Sequence, residues 1–437
     1  MSNPPANEGA ATISTVRCAN CSATLTDRTA LSKCDACGGL LVVQHAPHRR
    51  GYALRALFDD RAAAALKGAT SIGRSGVWRF RELVLDATAD EIVSHPEGNT
   101  PLIAREAIAK FAGVDGILIK HEGHNPTGSF KDRGMTAALT QARRIGARAV
   151  ACASTGNTSA SLSAYSAQAG IPSFVFVPEG RISLGKLAQT LAYGARTLQI
   201  RGDFDDCMRL ALDASDTLGV YLVNSVNPFR IEGQKTIVFE MLQQLDWNAP
   251  DWIALPAGNL GNTSAFGKAL VEAHEFGLID RVPRLLAVQA AGAAPFARAF
   301  EHQFAERLRV RAETRATAIR IGDPASWDRG VRAIQATNGH VASVTDEEIF
   351  AAKRVIDECG VGCEPASAAS IAGVRALVQG GVIHPNERVV AVLTGHLLKD
   401  PTGGVSDSTA GEVETKAMTS SEALAFLERA IETAGKS

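Results

Sequence analysis

The chain has 437 residues, 46% of them apolar and 21% charged, and its 45 Lys and Arg face 46 Asp and Glu for a formal net charge of -1. That composition suits two or three compact domains and excludes a largely disordered chain. Without a basic excess nucleic acid is an unexpected partner, and no apolar run approaches the roughly 20 residues that cross a membrane. Met1 to Ala11 has no basic region leading into an apolar stretch, so a soluble, cytoplasmic protein is expected.

Residues before about Thr15 are rich in Ala, Asn and Pro without periodicity and read as a disordered tail. Cys18 and Cys21, then Cys34 and Cys37, form two C-x-x-C pairs, a pattern by which two tight turns can offer four thiolates to one zinc ion. Two redox pairs are the alternative, and the gap between the pairs is shorter than the commonest ribbon spacing. Structural zinc is the expectation. The other cysteines, Cys152, Cys207, Cys359 and Cys363, are scattered and are expected to pack as small hydrophobes.

A helical stretch over Tyr52 to Leu66 and a segment over Trp78 to Leu85 lead into the body. After Pro101 short apolar runs alternate with stretches of helical spacing, the pattern of crossover units on a mostly parallel sheet. The expected strands are Ile117–Lys120, Ala149–Ala153, Ser173–Val177, Thr197–Ile200, Tyr221–Asn224, Trp252–Pro256, Leu285–Gln289 and Val389–Thr394. Expected helices between them include Asp205–Leu218, Thr263–Phe276, Asp346–Glu358 and Ala366–Val378. The fold class is α/β, and in a doubly wound sheet ligands bind beyond the carboxyl ends of the strands.

Four such loops carry chemistry. The first, Asn125 to Gly134, places Lys131 where a loop becomes a helix, and the positive end of the helix dipole favours an unprotonated, nucleophilic amine. The second, Ser154 to Ser161, offers more hydroxyls and amides than one helix cap requires, with donors suited to a carboxylate. The third, Gly258-Asn259-Leu260-Gly261-Asn262, can curl its backbone N–H groups around a phosphate, and matches neither the dinucleotide fingerprint nor a P-loop. The fourth follows Thr394, whose hydroxyl could face a ring nitrogen without adding charge; taken alone, this loop reads first as a simple strand-ending Thr-Gly turn.

Together these loops resemble the threonine synthases, pyridoxal phosphate enzymes of fold type II in the tryptophan synthase β-subunit-like family. The resemblance lies in N-P-T-G-S-F-K-D-R-G at Asn125–Gly134, S-T-G-N-T-S-A-S at Ser154–Ser161 and F-D-D-C at Phe204–Cys207. It continues through N-S-V-N-P-F-R-I-E-G-Q-K-T at Asn224–Thr236, G-N-L-G-N at Gly258–Asn262 and E-P-A-S-A-A-S at Glu364–Ser370. These stretches fall in the family's order between about Pro96 and Pro401, and some members also carry an N-terminal cysteine-rich extension.

The resemblance implies that Lys131 forms the Schiff base with pyridoxal 5'-phosphate and afterwards moves protons. It implies that Gly258, Asn259, Leu260, Gly261 and Asn262 hold the cofactor phosphate, that Asn157 donates to the ring oxygen and that Thr394 faces the pyridine nitrogen. Ser154, Thr155 and Thr158 would hold the substrate carboxylate and nearby groups, and Ser225 and Arg230 the phosphate of O-phospho-L-homoserine, which water converts to L-threonine. A homodimer is the implied assembly. The implied architecture is two doubly wound, mostly parallel domains behind a zinc-ribbon-like module. The expected divisions are a tail over 1–15, the module over 16–45, an arm and smaller domain over 46–210, a larger domain over 211–410, and a tail with a surface helix over 411–437.

Two departures stand out: Leu397 replaces the third glycine of the family's T-G-H-G, where it would add bulk near the ring's edge, and His121 stands where an acidic residue is often found. Two other readings compete: a relative such as a cysteate synthase or a threonine dehydratase-like lyase, and a zinc-ribbon regulatory protein with an inactive body. Arg230 and Ser225 argue against the first, since a substrate lacking phosphate does not need them; Lys131, Asn157 and the glycine-rich loop argue against the second.

Overall fold

The computed structural model describes residues 12–67, 72–154, 156–179, 184–202 and 204–400. Its strands in chain order are β1 (Thr12–Cys18), β2 (Thr24–Leu25), β3 (Leu41–Pro47), β4 (Leu102–Ala104), β5 (Ile117–His121), β6 (Val150–Ala153) and β7 (Ser173–Pro178). They continue with β8 (Arg196–Ile200), β9 (Tyr221–Leu222), β10 (Trp252–Pro256), β11 (Arg284–Ala290), β12 (His340–Val344) and β13 (Val389–Leu393).

These strands make three sheets: an antiparallel one ordered β2-β1-β3, a four-stranded one ordered β8-β7-β6-β9, and a six-stranded one ordered β12-β11-β10-β13-β5-β4. The four-stranded sheet is parallel throughout, and in the six-stranded sheet only the short edge strand β4 runs antiparallel. Strands β10 and β13 are buried at every position, the continuous apolar run of a parallel strand covered on both faces. Alternation then sorts them: Ile253, Leu255, Val390 and Val392 enter one core, while Trp252, Ala254, Val389 and Ala391 enter the other.

The sheets do not divide at residue 210. Strand β5, with the loop after it, belongs to the six-stranded sheet beside β13, and β9 belongs to the four-stranded sheet beside β6. Ladder pairing decides membership, and the sequence carries no trace of which apolar runs will be neighbours. The module likewise exceeds 16–45, because β1 pairs with β3 from Thr12↔Pro47 to Cys18↔Leu41. Residues 1–11 and 401–437, with the expected terminal helix, lie outside the described residues.

Val16, Leu41 and Val43 of the module belong to the same core as β10 and the helix Pro228–Gln244, so the module is seated on the body. Cys152, Cys207 and Cys363 are buried among apolar side chains, as expected of small hydrophobes. Beyond β1 to β3 of the module, the strands that the sequence does not announce are β4 and β12, both edge strands of partial burial, where the apolar signal is weakest.

Candidate active site

The carboxyl ends of β5, β6, β10 and β13 open on one cavity of about 440 Å³. Its wall includes Lys131, Ser154, Asn157, Thr158, Ser225, Arg230, the whole turn Gly258 to Asn262, and Thr394. Loops scattered over more than two hundred residues thus converge. Thr155 lies outside the described residues.

Lys131 opens the helix Lys131–Arg144, with Phe130 at the cap position. Its Nζ lies 4.0 Å from the centroid of the Phe130 ring, and burial, reinforced by the charge of Arg230, brings the amine down to about 7. Desolvation penalises the ammonium form, which is the condition a nucleophilic lysine needs. The loop before it is held from behind. Asp132 accepts hydrogen bonds from the Thr127 and Ser161 hydroxyls, each at 2.6 Å. Arg133 makes a bidentate pair with Glu122 at 2.7 and 2.8 Å and also meets Glu240 at 2.8 Å. Lys120 and Arg79 complete the cluster, reaching Glu240 at 2.6 and 2.9 Å.

The third loop ends in a built cradle. Leu260, at φ 63, takes a left-handed turn directly before the helix Gly261–Glu275, so the first N–H groups of that helix face the loop. Both side-chain polar atoms of Asn262 and the Thr263 hydroxyl are buried without a partner among the described residues. Orphaned donors at a helix start are what a phosphate would satisfy, so these residues fit the phosphate of pyridoxal 5'-phosphate. Asn259 does a different job: its Oδ1 accepts from Ala325 N at 3.2 Å and its carbonyl from Ser326 N at 3.1 Å, which holds the segment Thr317–Ala325 against the cavity.

Opposite the cradle, Glu364 sits between the two residues expected at the ring. Asn157 Nδ2 donates to one of its oxygens at 3.0 Å, and Thr394 Oγ1 to the other at 3.4 Å. Burial pushes the Glu364 carboxyl up from its ordinary range. Ser367 Oγ accepts from the backbone N–H of Thr394 and of Gly395 at 2.8 and 3.0 Å, which fixes the threonine. A Cβ on Gly395 would fall 2.5 Å from the Glu364 carboxyl carbon, so the glycine is required there.

Arg230 lies in the first turn of the helix Pro228–Gln244, where Asn227 caps the N–H groups of Phe229 and Arg230. It is 2% exposed; Nη1 donates to Val223 O at 3.0 Å, and Nε has no partner among the described residues. Burial lowers its guanidinium to about 10, and no carboxylate among the described residues is within ion-pairing distance.

Leu397 does not line this cavity. Its side chain packs on Gly362 and is 37% exposed, so the bulk expected beside the ring is turned outward. His121 is buried behind the fourth loop, its Nε2 2.9 Å from Gly362 O. Sequence reasoning missed Gln234, Lys399 and the segment Thr317–Ala325 as cavity wall, and it named Glu364 only within a motif. Glu364 had a signal, a lone acid opening an otherwise small-residue run. The segment had none.

The family of pyridoxal-phosphate dependent enzymes matches residues 93–395. A threonine synthase from Methanocaldococcus jannaschii is 42% identical over 90% of this chain and 94% of its own length. One from Mycobacterium leprae is 52% identical over 71% of this chain and 84% of its own. The chain belongs to the threonine synthase family of pyridoxal-phosphate-dependent enzymes. Solved structures agree on the fold: a threonine deaminase isoform from Solanum lycopersicum covers 77% of the chain at a TM-score of 0.61 and 21% identity. Maize serine racemase covers the same share at 0.60 and 19%. A threonine synthase family member built this way is a pyridoxal-phosphate enzyme of fold type II.

The N-terminal thiols also converge. Cys18 Sγ lies 3.4 Å from Cys37 Sγ and Cys21 Sγ 3.7 Å from Cys34 Sγ, with all four within 4.8 Å of one another. A tetrahedral zinc with Zn–S of about 2.3 Å requires sulfurs about 3.8 Å apart, so the donor set fits the ion. The backbone N–H groups of Cys21 and Asn20 bring the Cys18 thiol down to about 6, while hydrogen bonding to the neighbouring thiols pushes Cys37 up to about 12.

Proposed function

We propose that the chain converts O-phospho-L-homoserine and water to L-threonine and phosphate, with pyridoxal 5'-phosphate on Lys131. The observation that carries the substrate is Arg230, a buried guanidinium on the cavity wall that no protein carboxylate neutralises among the described residues. An unpaired buried cation is costly, and its planar fork suits two charge-assisted hydrogen bonds to phosphate oxygens. Ser225, on the same wall, adds a hydroxyl.

The cofactor, when bound, supplies an electron sink for the carbanion formed at the substrate's Cα. Lys131 supplies the base: an amine near pH 7 can take the Cα proton and return it without a large free-energy penalty. Asn157 would donate to the ring oxygen, and Thr394, held by Ser367, would present an uncharged hydroxyl to the ring nitrogen. A neutral partner keeps that nitrogen largely unprotonated, which favours elimination and replacement over transamination. Ser154 and Thr158 would hold the substrate carboxylate, and Gly258 to Asn262 the cofactor phosphate. A structural zinc on Cys18, Cys21, Cys34 and Cys37, a homodimer and a cytoplasmic location complete the reading; the thiol geometry supports the first and the family resemblance the others. No described helix is long and apolar enough to cross a membrane.

The test is a panel of O-phospho-L-homoserine, O-phosphoserine, threonine and serine, with phosphate and every amino-acid or keto-acid product quantified. Threonine and phosphate should appear in equal amounts from the first compound. Phosphate release from O-phosphoserine alone, or a keto acid from free threonine, would replace this reading with that of a diverged lyase.

A further inference from the structure

The N-terminal module grips the two helices that carry Lys131 and Arg230, and Arg329 of the helix Trp327–Ala336 also donates to the module's Leu41 O. The segment between the cysteine pairs docks on the last turn of the helix Lys131–Arg144. Asp27 pairs with Arg144 at 2.7 Å, and Gln141 Nε2 donates to the carbonyls of Asp27 and Thr29 at 2.8 and 3.0 Å. In return Arg28 Nη1 donates to Arg144 O at 2.8 Å.

Strand β3, which follows Cys37 closely, docks on the other helix, Pro228–Gln244. Its His45 is buried, and Nε2 lies 2.7 Å from Glu232 Oε2 while Nδ1 lies 3.0 Å from Ser14 Oγ. A carboxylate can only accept, so Nε2 carries the proton and Nδ1 accepts from the serine. Glu232 also holds Lys235 and Lys268, which bind Glu272 of the neighbouring helix, so the contact is anchored to the body. On the helix that carries Arg230, Glu232 stands only two residues away from it, turned toward the module while Arg230 lines the cavity.

Between the two helices there is no slack. A Cβ on Gly233 would fall 1.8 Å from Arg133 O, and one on Gly134 would lie 3.0 Å from Arg230 O. A shift of either helix therefore moves the other, and a metal on the four thiols would tie the two docking segments into one piece.

We propose that the cysteine module is a clamp that sets the spacing between Lys131 and Arg230, with His45 as its positioning residue, so that turnover of a phosphorylated substrate depends on metal held by the four thiols. This rests on the proposed function for its substrate. The chemistry is geometric: a misplacement of about 1 Å far from the reacting atoms can cost roughly 100-fold in rate. Neither His45 nor Asp27 touches the cavity, so their effect must travel through the helices.

The test uses full-length holoenzyme with O-phospho-L-homoserine, comparing wild type, His45→Leu, His45→Gln, Asp27→Ala and wild type stripped of metal by a chelator. His45→Leu and the stripped protein should lose roughly tenfold or more in kcat/KM, mainly through KM, with the cofactor absorbance retained. His45→Gln, whose amide can still donate to Glu232, should recover most of that loss. Asp27→Ala, where the aspartate is 24% exposed at the rim of the contact, should lose a few-fold. Amide hydrogen exchange should quicken over residues 224–235 in His45→Leu and not over the helix Pro365–Gln379. A lower melting temperature with wild-type KM and wild-type exchange over 224–235 overturns the clamp. If wild type releases no phosphate from this substrate, the substrate reading fails instead, and the exchange measurement alone still decides: faster exchange upholds the clamp, unchanged exchange overturns it.

Discussion

Two groups of buried charges lie within one loop of each other and are treated in opposite ways. Behind the Lys131 loop, Arg133, Lys120 and Arg79 meet Glu122 and Glu240 at 2.6–2.9 Å, and every charge has a partner. Facing the cavity, Arg230 has a backbone carbonyl and Lys131 the face of a phenyl ring, while the carboxylates of the wall are committed elsewhere, Glu364 to Asn157 and Thr394, Asp400 to Thr317 and Asp323 to Arg307 and Arg309. Burial is similar on the two sides, so the difference is in pairing. Paired charges build the scaffold; charges left without a protein partner are where ligand charge is to be met.

That contrast can be broken by substitution. Lys131→Ala should abolish turnover while the cradle still binds the cofactor weakly, and borohydride reduction of wild type should label Lys131. A label on any other lysine would end the assignment. Arg133→Ala strikes the paired side, leaving Glu122 and Glu240 short of their cation, and should cost about 3–5 kcal/mol in chemical denaturation. Arg230→Ala strikes the unpaired side and should do the reverse, with stability kept or raised. Its cost belongs to catalysis: about 2–5 kcal/mol, or roughly 30-fold or more in kcat/KM for O-phospho-L-homoserine, with the cofactor absorbance nearly unchanged. Equal effects of the two arginine substitutions on stability would erase the distinction.

The smallest expected effect is one of pH. Because the folded amine of Lys131 sits near 7 while its ordinary value is 10.5, it is protonated below about 7 and free above it. Capture of pyridoxal phosphate by cofactor-free protein, followed by absorbance, should accelerate through pH 7 and level off. Across the window from 7 to 10.5 the unfolded chain holds a proton that the folded one lacks, so the cofactor-free protein should gain stability as pH rises. A capture rate that is flat between pH 6 and 8 would show that Arg230 and burial do not depress the amine.

Most of the cavity was legible because its residues sit where a strand stops and a helix starts, and there local sequence and local geometry coincide. Lys131, Asn157, Asn262 and Thr394 are all of this kind. The central strands were legible for the same reason, since β10 and β13 are apolar at every position. What escaped depends on contacts between distant segments. The segment Thr317–Ala325 becomes cavity wall because Asn259 holds one end and Asp400 the other, and Leu397 turns away onto Gly362. The split of strands between sheets failed for this reason too: β5 pairs with β13 across more than 250 residues of chain.

The order of strands in the six-stranded sheet has a consequence for how the chain is made. Strand β13, the last in sequence among the described residues, is not at an edge; it fills the gap between β10 and β5. During synthesis the four-stranded sheet, contiguous from β6 to β9, can assemble as soon as it emerges, since all its pairings are local to that stretch. The larger sheet must wait as two separate pieces, exposing apolar edges, until residues 389–393 leave the ribosome and join them. The next residue is Thr394, so that wall of the cavity is completed at the same moment as the sheet. A nascent chain that stalls before that point presents two sticky half-sheets and no place for the cofactor, and quality-control machinery should see it as unfinished.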